Sequence, residues 1–134
     1  MATPFDEVPV HRWLGCVLRE RSPQRAVVEM PVRAEMLQGT GVVQGGLLTA
    51  LADTTAVQLL WPDLAAPRTM IGIDCQMQFL APGHAEQAPL VATATPLRVG
   101  ATIAVAEAVV TQGARLLAKG TFTFLLRAQR GAAN

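Results

Sequence analysis

Residues 47–61, LLTALADTTAVQLLW, form a run free of Gly and Pro that ends at Pro62 and so reads as a helix. Its apolar members Leu47, Leu48, Ala50, Leu51, Ala52, Ala56, Val57, Leu59 and Leu60 occupy every side of a helical wheel. A surface helix carries one apolar stripe, whereas a helix apolar all round is a buried one. In a chain of 134 residues, which fits one domain, a single buried helix must be wrapped by the rest of the sequence. That requirement narrows the fold to an α+β arrangement.

The remaining segments have the periodicity of a wrapping sheet. Residues 15–21 and 25–32 read as short strands about a Ser22-Pro23 turn. From 70 to 80, Ile71, Ile73, Cys75, Met77 and Phe79 alternate with Asp74, Gln76 and Gln78, the period of a strand, and Pro82-Gly83 ends it. Residues 90–99 and 101–112 meet at Gly100, a natural hairpin position. A last strand, 116–126, places Phe122 and Phe124 on one face and Thr121 and Thr123 on the other. The predicted order is strand, strand, helix and four strands, mostly antiparallel. Residues 1–9 and 129–134 read as loosely ordered ends of one domain spanning 1–134.

Composition excludes several function classes. Eleven basic against ten acidic residues, scattered along the chain, and 4% aromatics do not suit a general nucleic-acid binder. No apolar stretch approaches the length of a bilayer span, and the N-terminus lacks the basic-then-apolar pattern of a signal peptide. These features suggest a soluble cytoplasmic protein. Cys16 and Cys75 have neither metal-ligand spacing nor a CxxC pairing, and read as reduced, partly buried thiols.

Chemistry is concentrated at the junction of loop and helix. Gly45 and Gly46 open the helix, where backbone N–H groups lack intrahelical partners and the dipole is positive. Glycine lets another molecule approach this backbone, so the junction suits an anion or a developing oxyanion, or else is a plain turn. Asp53 lies mid-helix among apolar residues, an unfavourable place for an unpaired charge. Either Thr49 or Thr54 satisfies it, or it is a carboxylate held in a cleft as general base or nucleophile.

The segment Gln38-x-x-Gly41-x-x-Gln44-Gly45-Gly46, followed by Leu51-Ala52-Asp53, resembles the hot-dog acyl-CoA thioesterases. These include the phenylacetate-pathway type and the 4-hydroxybenzoyl-CoA thioesterases. Many members have Asn-x-x-Gly-x-x-His-Gly-Gly, with Asp or Glu nine positions after the His; Asp53 lies nine after Gln44. Residues 73–82 look like the family's next strand and 117–124 like its last, so the resemblance covers nearly the whole chain. It implies a hot-dog fold, one long helix wrapped by a five- or six-stranded antiparallel sheet, and hydrolysis of an acyl-CoA thioester without metal or redox cofactor. Asp53 would activate water or attack directly, Gly45 would polarise the carbonyl, and Gln38 and Gln44 would position the thioester or water. Gly46, Thr54, Gly72 and Arg98 would contact substrate.

The departures from the family pattern are chemical. Gln44 stands at the usual His position and can hydrogen-bond but not titrate. Gly72 falls roughly where relatives carry Ser or Thr. Neither His11 nor His84 occupies the motif, and both are expected in surface or loop positions; His84 is the one that could lie near ligand. Arg98, Arg115 and Lys119 are read as solvated charges, or as contacts to the phosphates of coenzyme A.

Gly45 and Asp53 are separated by about 12 Å along a helix, so one carbonyl cannot meet both within one chain. Joint action requires two antiparallel helices, consistent with the family's dimer, and a homodimer or homotetramer is expected. The rivals are a non-catalytic acyl-CoA-binding hot-dog module and a hot-dog hydratase or dehydratase. The latter is disfavoured by the missing His.

Overall fold

The computed structural model describes residues 3–61 and 68–128. The expected tail at 129–134 and the helix stop at Pro62 lie outside the described residues. The elements are α1 (Pro9–Leu14), β1 (Val17–Ser22), β2 (Arg25–Met30), α2 (Gly45–Leu60), β3 (Arg68–Phe79), β4 (Leu90–Val99), β5 (Ile103–Gln112) and β6 (Arg115–Ala128). The strands form one antiparallel sheet in the order β1-β2-β4-β5-β6-β3, with α2 packed mainly on β2, β4 and β5. This is the hot-dog fold.

The sheet face under the helix is rich in alanine: Ala26, Ala92, Ala94, Ala104, Ala106 and Ala108 are fully buried. Small side chains there let the helix sit close to the sheet. The helix answers with Leu48, Leu51, Ala52, Thr55, Ala56 and Leu59, the i, i+3/i+4, i+7 row of one face. Leu51 and Leu59 are buried completely or nearly so, each stabilising the fold by roughly 1.5–3 kcal/mol. Thr55 satisfies its hydroxyl within the helix by donating to the Leu51 carbonyl at 2.7 Å.

Three expectations are corrected. Where a loosely ordered lead-in is expected over 1–9, the chain forms a 3-10 turn at Phe5–Glu7 and then α1, closed by Gly15 at φ 72°. That left-handed C-cap is open to glycine at little cost. His11, expected at the surface, is 8% exposed; its ring stacks on Phe5 at 4.1 Å and Nδ1 lies 2.8 Å from the Phe5 carbonyl. The stack joins residues six apart across the turn into α1, a contact without helix or strand period. Third, α2 is not covered all round: Leu47, Ala50, Val57 and Leu60 are only partly buried, and Gly46 and Asp53 are exposed, on the side that faces β3 and β6 across a groove. Both cysteines are free, Cys16 buried and Cys75 exposed, and burial raises the Cys16 thiol pKa.

The β3–β6 ladder is the longest in the sheet, and Gly120 of β6 opposes Met77 of β3. A Cβ on Gly120 would collide with the Gln76 backbone carbonyl and the Met77 sulfur. Backbone cannot give way as a side-chain tip can. Gly120→Ala is therefore expected to cost about 2 kcal/mol or more, the upper range for overpacking, and to lower Tm by roughly 6 °C or more. A thermal melt within about 2 °C of wild type, less than 1 kcal/mol would produce, would show that β3 and β6 do not approach so closely.

Candidate active site

Two cavities flank the start and middle of α2. The first, about 480 Å³, is a groove between the exposed side of α2 and the strands β3, at its bulge between Gly72 and Asp74, and β6. Gly46, Thr49, Ala50 and Asp53 form its helical wall; Gly72, Ile73, Asp74, Cys75, Phe122 and Phe124 form the other. The second, about 390 Å³, lies at the helix N-terminus, between Gln38, Val42, Val43, Gly45 and Leu48 and the residues Phe79, Leu80, Ala81, Pro82 and Gly83 that end β3 and follow it.

Local sequence explains each placement. The 36–44 segment doubles back, with Gln38 N–H donating to the Val42 carbonyl at 2.9 Å and Gln44 N–H to that of Met36 at 3.0 Å. Gln44 then caps α2 by position only, since its side chain makes no capping bond. Gly45 is the first helical residue, so its N–H has no intrahelical acceptor. Eight residues on, Asp53 reaches the groove through the exposed side of the helix.

The Asp53 carboxylate meets solvent along the groove, yet the walls displace enough water for desolvation to raise its pKa above the ordinary value of 3.8. The Thr49 hydroxyl turns back to the Gly45 carbonyl at 3.5 Å, and among the described residues no hydrogen bond joins Thr54 to Asp53, so neither expected hydroxyl satisfies the carboxylate. A carboxylate in such a groove, raised but ionisable, has the character of a general base or nucleophile.

The structure brings Asp53, Gly46 and Gly72 into one cavity and Gly45 with Gln38 into the other. It does not bring Gly45 and Asp53 together within the chain. Gln44 is exposed and lines neither cavity; the same is true of Arg98 at the exposed end of β4, while Thr54 is half-buried and also lines neither. His84 is exposed, as expected. Arg115 is committed to Glu86, Pro82 and Gln112, and Lys119 pairs with Glu107 at 3.2 Å, so neither is an unpaired surface cation. No cluster of potential metal ligands is found among the described residues. No helix among them is long and apolar enough to cross a membrane.

Sequence reasoning missed the walls. Phe122 and Phe124 were legible as one face of a strand, but not as the side of the groove opposite Asp53. The stretch from Phe79 to Gly83 read as a strand end and turn, with no local sign that it returns to Gly45.

Residues 40–119 match the thioesterase superfamily. Among solved structures, AziG from S. sahachiroi is 28% identical, with a TM-score of 0.85 over 91% of this chain and 98% of its own. A point mutant of the phenylacetic acid degradation protein PaaI from Thermus thermophilus is also 28% identical, with a TM-score of 0.79 over 88% of this chain and 98% of its own. A thioesterase from Haemophilus influenzae, at 22% identity and a TM-score of 0.82 over 96% of this chain and 90% of its own, shares the fold. A search of curated proteins finds no match. With the match spanning α2 and most of the sheet, and the groove built where Asp53 emerges, the chain belongs to the thioesterase superfamily.

Proposed function

We propose that the protein is a homodimeric acyl-CoA thioesterase whose two active sites each join Gly45 of one protomer to Asp53 of the partner subunit. The observation that carries this reading is the division of the site: Gly45 and Asp53 line different cavities, about 12 Å apart along one helix. A two-fold axis between antiparallel α2 helices brings the two groups into one pocket twice. The open face of α2 is the surface such a partner would cover. Beside it, edge strand β3 carries Ile71, Ile73 and Phe79 at 43%, 52% and 56% exposure, apolar side chains on both faces of an edge strand that is bulged between Gly72 and Asp74.

In this site the thioester carbonyl accepts the Gly45 N–H at the positive end of α2, which stabilises the charge that develops on oxygen. Asp53 of the partner subunit either takes a proton from water attacking the carbonyl carbon or attacks that carbon itself. The C–S bond then breaks and coenzyme A leaves as the thiol, its sulfur taking a proton from Asp53 or from solvent; where Asp53 has itself attacked, water next hydrolyses the acyl–Asp53 anhydride, releasing the acid and restoring the carboxylate. Gln38 lies in the Gly45 cavity, where its amide can orient the thioester. Gln44 can donate or accept a hydrogen bond but moves no proton, so proton transfer falls to Asp53.

Release of free thiol from aryl, short, medium and long acyl-CoAs tests the activity; binding without release from any of them would leave a non-catalytic module. Assembly is tested separately. Sedimentation at micromolar concentration is expected to give a dimer, or a tetramer of two dimers. A monomer that turns over at wild-type rate would sink the shared site.

A further inference from the structure

The wall of the Gly45 cavity that follows β3 is held in place from outside the site. Gln112, at the end of β5, is 1% exposed and uses its whole amide group. Its Oε1 accepts the His84 N–H at 2.9 Å and an Arg115 Nη2 proton at 3.0 Å. Its Nε2 donates to the carbonyls of His84 at 2.8 Å and Ala88 at 3.0 Å. Two acceptor and two donor positions are thereby filled, which also fixes which end of the amide is oxygen. Arg115, across the β5–β6 turn, donates from Nη1 to the Pro82 carbonyl at 3.1 Å and pairs with Glu86. Four residues of segment 80–88 are thus tied to one short hairpin.

The same segment reaches the helix start on its other side. The Val43 N–H donates to the Gly83 carbonyl at 2.9 Å, and Val42 bridges His84. Only Gln44 separates Val43 from Gly45. The Leu80 and Ala81 N–H groups both reach the Leu117 carbonyl, at 2.7 and 3.2 Å. Gly83 fits so closely that a Cβ there would meet Val43, Leu117 and Leu90 at 3.2–3.4 Å. Displacement of 80–88 would therefore be felt at Val43 and at the cavity wall.

We propose that Gln112 and Arg115 are positioning residues for thioester hydrolysis: acting through 80–88, they set the wall against which the Gly45 N–H meets the carbonyl. This rests on the function proposed above. Neither side chain lines the cavity, so neither touches substrate there. Their effect is on orientation, and small misplacements of a reacting group cost rate more than binding.

Arg115→Met tests it, because the side chain is partly exposed and its ion pair contributes little to stability, while the apolar stem is kept. The expected result is a fall in kcat of about tenfold, well inside the range that misplacement produces, with KM within about threefold and Tm nearly unchanged. Hydrogen exchange at the Val43 amide should accelerate, while exchange in the β4–β5 ladder stays as in wild type. Arg115→Lys, which keeps a donor for Pro82 and a charge for Glu86, should recover most of the loss. Unchanged kcat despite faster Val43 exchange would overturn the proposal, as would a loss of kcat with Val43 still protected. A wild-type protein inactive on every thioester would overturn the proposed function itself, with Val43 exchange still reporting whether the clamp exists.

Discussion

Asp53→Asn is expected to lower kcat by about 10²–10⁴-fold, the usual contribution of a general base, and by more if the carboxylate is the nucleophile. Asparagine keeps the shape and one acceptor oxygen but has neither the charge nor the basicity. The pH profile offers an independent readout. Desolvation raises the Asp53 pKa, and the reaction needs the ionised form, so wild-type kcat/KM should fall on the acid side at a pH above that of an ordinary aspartate. The variant's residual rate should lack that limb. Stability has a definite sign as well. A carboxyl whose pKa is higher folded than unfolded favours the fold while protonated, and that advantage is lost as pH rises from the ordinary carboxylate value through the raised one. At neutral pH the ionised group is a burden, so Tm of the variant should equal or exceed that of wild type. Substrate should still bind, with KM unchanged or lower. A folded Asp53→Asn enzyme with near-wild-type kcat would remove Asp53 from the chemistry and favour a binding module.

The sequence made the fold legible because its elements carry different periods. Alternation over β3 and β6, the Gly100 hairpin and the unbroken run of α2 are local signals, and the strands fall within a few residues of where those signals place them. The spacing of Gly45 and Asp53 was equally legible, since the rise of a helix is fixed. What could not be read is which side of α2 stays open. A helix apolar on every side has the same pattern whether its second face meets its own sheet or is left uncovered, and Asp53 stays exposed in the groove between α2 and the strands β3 and β6. His11 and Gln112 escaped notice for a related reason. Each is buried by contacts that follow no helix or strand period, His11 with Phe5 six residues back and Gln112 with the distant 84–88 turn.

Gly45→Pro should separate the backbone donor from everything else at the helix start. Proline suits the first position of a helix, where its missing N–H breaks no helical bond and its fixed φ is already helical. Gln44 sits at φ −56° and ψ 126°, an extended conformation that the residue before proline accepts. The added ring would press on Phe79, because a Cβ on Gly45 lies 3.3 Å from that ring. Phe79 is exposed and its side chain can yield. Folding and assembly should therefore survive, while kcat falls by about 10²–10³-fold, the loss seen when one oxyanion donor is removed. Gly45→Ala is the matched control. It brings the same Cβ toward Phe79 but keeps the N–H, so its kcat should stay within about fivefold of wild type, well short of losing a donor. If alanine and proline depress kcat equally, the cause is crowding against Phe79, and the N–H of Gly45 does not hold the oxyanion. If proline alone does so, with Tm close to that of the alanine variant, the catalytic effect belongs to a single backbone proton at the start of α2.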